Sequence, residues 1–169
     1  VMITKLDSQA EMTWLKTVFP ALKTRLASDG YTHISMSKQM TQSASWIGIP
    51  YKPFGETNEE IENSNIFYPD WTIECIDSNG NPALFIIETK DQTMRRSDRG
   101  GDDIDAETKA DAMDKWVALN RRKGFSNLHA CVVNLKDFKP QSPLIIGVMG
   151  DRNTGLTLDT WIDRESTIK

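Results

Sequence analysis

The stretch IFYPDWTIECIDSNGNPALFIIETK, residues 66–90, holds two apolar runs typical of β-strands, separated by the turn sequence Ser78-Asn79-Gly80. Two such runs with so short a connection predict an antiparallel β-hairpin. Each run also carries charge where a buried strand usually has none. Asp70 lies in the first run, and Glu88 and Lys90 end the second. The function depends on whether these charges meet.

The turn decides which residues face each other across the hairpin. A two-residue Asn79-Gly80 turn would place Asp70 opposite Thr89 and leave Glu88 and Lys90 on the other face. A three-residue loop, with Gly80 at positive φ in a bulge, would place Asp70 opposite Glu88. Only the second register gathers a uniformly apolar face, so burial of the core should select it. We therefore expect Asp70, Glu88 and Lys90 on one face.

Two carboxylates this close repel each other and are costly to bury without a partner. A divalent cation removes the conflict, because Mg²⁺ prefers oxygen ligands and usually binds through one or two carboxylates, water and substrate phosphate. Lys90 beside them could hold an attacking water or a phosphate oxygen, so the set predicts metal-assisted phosphodiester hydrolysis. The alternative is an internal salt bridge of Lys90 with Glu88 or Asp70 at a strand end near solvent.

The rest of the chain alternates helical and strand-like segments. Ser8 and Glu11 have capping-box spacing and open a helix over about residues 9–28, with a kink or a new start at Pro20. Further predicted elements are strands at 31–37, 46–51, 128–135 and 144–148, and a helix over 102–123 that ends at Gly124. This order predicts an α/β sandwich whose central mixed β-sheet, an antiparallel hairpin plus a crossover strand, is flanked by helices.

Length and composition indicate an ordinary globular domain. The chain has 169 residues, of which 38% are hydrophobic and 26% charged. We expect a single domain over residues 1–169, with its core at about 8–135 and a peripheral C-terminal strand and tail at 136–169. No apolar run approaches the roughly 20 residues of a membrane span. Cys75 and Cys131 lie inside apolar runs and read as buried thiols of a cytoplasmic protein.

Pro69-Asp70, followed by Glu88-Thr89-Lys90 at the end of the next strand, resembles the motif of the PD-(D/E)XK nuclease superfamily. The wider context, Ile49-Pro50-Tyr51, an acidic loop and Tyr68-Pro69-Asp70-Trp71, resembles the C-terminal endonuclease region of type III restriction enzymes and related helicase-nucleases. The resemblance covers roughly residues 8–135. It implies a restriction-endonuclease-like fold, Mg²⁺ as cofactor with Mn²⁺ as a substitute, and DNA as substrate. It also implies a helicase or specificity subunit as partner, in cis or in trans.

The resemblance also implies roles for individual residues. Asp70 and Glu88 would be metal ligands, the main-chain carbonyl of Thr89 a further ligand, and Lys90 the catalytic lysine. Glu11 matches an acidic residue on the first helix of such nucleases and would be a further catalytic metal ligand, although its capping-box position explains it equally well. Asp91 is a departure, because relatives often have glycine after the lysine.

Basic residues are the candidates for contact with nucleic acid, although the net charge of the chain is −4. Arg95, Arg96 and Arg99 lie in a flap at 91–103, where they could grip phosphates or pair with neighbouring aspartates. Lys109, on the second long helix, matches a lysine that these nucleases often place there. The alternative for Lys109 is a solvated side chain after Glu107.

The sequence thus favours a metal-dependent endonuclease domain that hydrolyses DNA phosphodiester bonds, and the resemblance implies a restriction or helicase-nuclease system as its setting. The alternative is a catalytically inactive nucleic-acid-binding or structural module of the same fold. The intact set of Asp70, Glu88 and Lys90 favours the enzyme, because an inactive relative would often have lost at least one of them.

Overall fold

A computed structural model describes residues 9–39, 47–51, 65–91 and 106–168. The elements, in chain order, are α1 (Gln9–Thr13), a π-helical segment (Trp14–Val18), α2 (Phe19–Ser28), β1 (Thr32–Lys38), β2 (Ile49–Tyr51), β3 (Asn65–Phe67), β4 (Trp71–Ile76), β5 (Pro82–Lys90), α3 (Ala106–Arg122), β6 (Leu128–Asn134), β7 (Gly147–Val148), a 3₁₀ turn (Asp151–Asn153) and α4 (Leu158–Glu165). None of the helices in these ranges is long and apolar enough to cross a membrane.

The predicted α/β class with a mixed sheet is confirmed. Five strands lie in the order β1-β4-β5-β6-β7, and a separate ribbon pairs β2 with β3. The β5–β6 pair is parallel and the other pairs are antiparallel. A parallel pair needs a crossover connection, and α3 lies between β5 and β6 in the chain and packs on β6. The crossover strand after the second long helix was therefore predicted correctly.

Helices cover both faces of the sheet and form two hydrophobic cores. On one face, Trp14, Leu22 and Trp161 from the helices pack with Ile73 and Ile87 of the sheet. On the other face, Met113 of α3 and Ile49 of β2 pack with Ile86. Because side chains alternate along a strand, Ile86 and Ile87 of β5 serve opposite cores. A strand that is buried on both faces has a continuous apolar sequence rather than an alternating one, and β5 has such a sequence.

The β4–β5 hairpin has the predicted three-residue register. Trp71 faces Ile87, and Cys75 faces Ala83. The backbone N–H of Asp77 donates to the carbonyl of Asn81 at 2.8 Å and closes the loop. Gly80 has a φ of 83°, the left-handed conformation that the bulge requires.

The first long helix is interrupted by a wide turn rather than simply kinked. The N–H of Phe19 donates to the carbonyl of Trp14, five residues back, immediately before Pro20. Proline has no N–H, and its ring would clash with the carbonyl four residues earlier in a regular α-helix, so the backbone widens there. Ser8, the other half of the predicted capping box, lies outside the described residues.

Two further segments differ from the sequence prediction. The apolar run that begins at Ile66 is not one strand, because Pro69 separates β3 from β4 and the two strands join different sheets. The C-terminal segment, expected at the periphery, contributes to the main core and contains the helix α4. Its buried core residues are Ile146, Val148, Leu158, Trp161 and Ile162.

Candidate active site at the end of the hairpin

The hairpin register brings Asp70 and Glu88 together at one end of the sheet. The paired ladder begins at Trp71 opposite Ile87, so one further step places Asp70 opposite Glu88. The backbone N–H of Asp70 donates to Glu88 Oε1 at 3.0 Å. Glu88 is only 2% exposed, whereas Asp70 stays partly open to solvent. The two carboxylates therefore meet at the rim of the structure, with Glu88 on its inner side.

The carboxylate of Asp70 turns toward Thr89. Its Oδ2 accepts hydrogen bonds from the backbone N–H of Thr89 at 2.9 Å and from the Thr89 hydroxyl at 2.8 Å. Burial and the neighbouring charge of Glu88 raise the pKa of Asp70 to about 7, while the hydrogen bonds from Thr89 act in the opposite direction. Burial and carboxylate repulsion therefore dominate the titration of Asp70.

The main-chain carbonyl of Thr89 points to the same side as Asp70. The carbonyl of Lys90 accepts from Leu135 N at 2.6 Å, so it faces the β6 side. In a strand, the N–H and C=O of one residue point to one neighbour and those of the next residue to the other. The N–H of Thr89 donates to Asp70, so the carbonyl of Thr89 points in the same direction. The Thr89 carbonyl is thus directed toward the side of β5 on which Asp70 lies.

Two lysines converge on Glu88 from the α3 side. Lys109 Nζ forms an ion pair with Glu88 Oε2, and Lys90 Nζ lies 3.7 Å from the same oxygen. Lys109 is only 9% exposed, so it is not the solvated lysine that the alternative interpretation expected. Its Nζ also lies 5.4 Å from the ring centroid of Phe67, in the ribbon that covers this face. Lys109 lies on the buried face of α3, a seventeen-residue amphipathic helix.

The two ammonium groups differ in their electrostatic environment. Burial and the adjacent charge of Lys109 lower the pKa of Lys90 to about 8, and Glu88 only partly offsets this. Burial also acts to lower the pKa of Lys109, but the close Glu88 carboxylate outweighs it and the pKa is raised. Lys109 is therefore the firm counterion of Glu88, and Lys90 is the lysine more ready to lose its proton.

Glu11 lies on the opposite face of the sheet from Glu88. It is buried, and its Oε1 accepts from Lys38 Nζ at 2.8 Å. That Nζ lies 5.6 Å from the ring centroid of Trp71, the residue after Asp70. Trp71 belongs to the core under α1, whereas Glu88 faces α3. Glu11 therefore faces the core side of its helix, on the Trp71 face of the sheet, and its role as a metal ligand stays a prediction.

One neighbour of the site, Gln39, was not predicted from the sequence. Gln39, directly after β1, donates its backbone N–H to the carbonyl of Asp70 at 2.7 Å, and its side chain is buried. Its only sequence signal is its position at the end of a strand. Arg95, Arg96 and Arg99, together with the flap after Asp91, lie outside the described residues.

The oxygen donors suit Mg²⁺ better than a transition metal. Within the described ranges there is no group of three or more His, Cys, Asp or Glu side chains that could hold a metal ion. Mg²⁺ needs fewer, because it binds through one or two carboxylates and keeps several waters. Asp70, Glu88 and the Thr89 carbonyl meet that need, provided that Glu88 loosens its contact with a lysine.

Comparison of the chain with protein-family models, curated proteins and solved structures gave no match in any of the three. The geometry of the site is therefore the basis for the function assigned below.

Proposed function

We propose that the chain is a metal-dependent nuclease domain of the PD-(D/E)XK type, which hydrolyses DNA phosphodiester bonds with Mg²⁺ or Mn²⁺. The observation that carries the proposal is the meeting of Asp70 and Glu88, joined by the hydrogen bond from Asp70 N to Glu88 Oε1, with Lys90 on the same strand end. Two adjoining carboxylates, one buried and one partly open to solvent, destabilise a fold unless cations or a ligand balance their charge.

Each residue then has a distinct role. Asp70, Glu88 and the Thr89 carbonyl would hold the ion, which supplies Lewis acidity to the scissile phosphate. Lys90, whose pKa lies near 8, would orient a water through Nζ and accept its proton when the Nζ is uncharged. Lys109 would hold Glu88 in place from within the core. Arg95, Arg96 and Arg99 are proposed to contact the DNA backbone, and a helicase or specificity subunit would deliver the substrate.

One observation favours a second candidate function. Lys109 and Lys90 neutralise the carboxylate of Glu88 without any metal, as an internal ion-pair cluster would. A nucleic-acid-binding or structural module of this fold without turnover would show the same contacts. The two candidates differ in what Mg²⁺ does, because only the nuclease should bind the ion at Asp70.

Cleavage assays on plasmid, linear duplex and single-stranded DNA, with Mg²⁺, Mn²⁺ or a chelator, test the proposal. We expect metal-dependent cleavage by the wild type and none by Asp70→Asn or Lys90→Ala. Lys90→Ala should keep its affinity for Mg²⁺, because the lysine acts on water rather than on the ion. Asp137→Asn and Lys136→Ala, exposed positions after β6, are the matched controls. A wild-type domain that neither cuts DNA nor gains thermal stability from Mg²⁺ would reject the nuclease.

A further inference from the structure

Gln39, Asp70 and Glu88 form a row across three neighbouring strands. Lys38 faces Trp71 in the β1–β4 ladder, so the next step places Gln39 opposite Asp70, and the bond from Gln39 N to Asp70 O confirms this register. In the β4–β5 ladder, Trp71 faces Ile87, so the next step places Asp70 opposite Glu88. Residues that face each other across antiparallel strands point to the same side of the sheet. The Gln39 side chain therefore projects to the same face as the two carboxylates.

The orientation of the Gln39 carboxamide is set by one hydrogen bond. The backbone N–H of Ile47 donates to Gln39 Oε1 at 3.3 Å. Ile47 belongs to the core beneath α3, the face on which Glu88 lies. Because a backbone N–H can only donate, the oxygen must be the atom that faces Ile47, and Nε2 takes the other position.

Gln39 Nε2 is a buried donor that lacks a partner. Gln39 is 6% exposed, and among the described residues no acceptor lies within hydrogen-bonding distance of its Nε2. Most buried polar atoms in native proteins are paired, and one that is not calls for a specific explanation such as an absent ligand. Asp70, the next residue of the row, stays partly open to solvent, so the row reaches the surface at Asp70.

We propose that Gln39 is a further substrate-binding residue of this site, whose Nε2 donates to a phosphate oxygen of the bound DNA. The inference rests on the proposed nuclease function and deepens it. A carboxamide supplies a neutral donor beside two carboxylates, where an added cation would compete for them as Lys109 does. Phosphate oxygens are strong acceptors, and a hydrogen bond to a charged acceptor exceeds an ordinary one in strength.

Gln39→Glu keeps an oxygen for Ile47 N–H, replaces the Nε2 donor by an acceptor and adds a negative charge. Gln39→Met removes the donor without adding charge. Both should raise KM for plasmid cleavage, and Kd for a short fluorescent duplex bound with Ca²⁺ in place of Mg²⁺, by about tenfold or more. The turnover number of Gln39→Met should change much less than its KM. Gln141→Glu and Gln141→Met, at an exposed loop position, should behave like the wild type.

The possible outcomes separate this inference from the function on which it rests. A wild type that does not cleave DNA overturns both. A wild type that cleaves, with folded Gln39 variants that keep its KM and Kd, overturns the role of Gln39 alone. A lower melting temperature in Gln39→Met with unchanged KM would mean that the carboxamide is structural. If Gln39→Glu fails to fold, Gln39→Met decides the question.

Discussion

At the scale of single residues, the folded chain disfavours the ionised form of Asp70. Asp70 has a pKa of about 7 in the folded chain against an ordinary 3.8, because burial and Glu88 oppose its ionisation. Between these two pH values the folded chain keeps a proton that the unfolded chain has released. This contribution to stability is therefore complete below about pH 4 and is lost as the pH rises through about 7.

Asp70→Asn removes the carboxylate that causes this loss. At about pH 8 and without metal, we expect the variant to exceed the wild type in free energy of unfolding by on the order of 2 kcal/mol. At about pH 4, where Asp70 is protonated in the folded chain, the two proteins should be nearly equal. Melting temperatures at both pH values test this, with Asp137→Asn as control. A variant that is clearly less stable at the higher pH would show that Asp70 serves as a counterion for the lysines.

Lys109 stabilises the folded chain, because it neutralises the carboxylate of Glu88, which is only 2% exposed. Lys109→Met leaves Lys90, at the longer distance, as the lysine that contacts Glu88 within the described residues, and loss of one partner of a buried pair costs about 3 kcal/mol or more. We expect a lower melting temperature without metal and a larger stabilisation by Mg²⁺, since Glu88 is released for the ion. Lys90→Met, which removes the partner at 3.7 Å, is the comparison. Equal losses in the two variants would contradict this account.

At the scale of elements, the β4–β5 hairpin places the site. Its loop depends on Gly80 at a φ of 83°, and a Cβ added there would contact nothing within 4 Å. Gly80→Ala should therefore cost about 1 kcal/mol through backbone conformation alone, a fall of roughly 2–4 °C in melting temperature. Gly147→Ala, where the added Cβ also meets open space but φ is not positive, should leave the melting temperature unchanged. Equal effects at the two positions would refute the strain at Gly80.

The hairpin was predictable because local and global signals agree there. The Ser78-Asn79-Gly80 loop and the apolar face select the same register, and that register alone brings Asp70 to Glu88. Lys109 was harder to place, because a lysine between Thr108 and Ala110 carries no sequence signal of burial, and only the docking of α3 carries it inward. The sequence also carries signals of α4 that the predicted elements above do not include, namely the capping box of Thr157 and Thr160 and the helical spacing of Leu158, Trp161 and Ile162.

At the scale of the whole molecule, the C-terminal segment closes the core on the face away from α3. Arg25 of α2 forms ion pairs with Asp159 and Asp163 of α4. Glu165, at the end of α4, accepts from Arg121 Nη2 at 3.1 Å and lies 3.2 Å from His129 Nδ1. Burial acts to raise the pKa of Glu165, but contacts with His129 and Arg121 lower it. α4 is thereby tied to α2, α3 and β6.

A chain that ends at Leu135 should therefore fail to fold, although it contains every proposed catalytic residue. It loses the five buried core side chains beyond Leu135, and at about 1.5–3 kcal/mol each their burial matches the 5–15 kcal/mol of a typical domain. A chain that ends at Ser166 keeps all five and should melt cooperatively, near the temperature of the full-length chain. Thermal unfolding followed by circular dichroism distinguishes the two truncations. A cooperative transition in the chain ending at Leu135, with Mg²⁺ raising its midpoint, would show that the site and its fold are complete without α4.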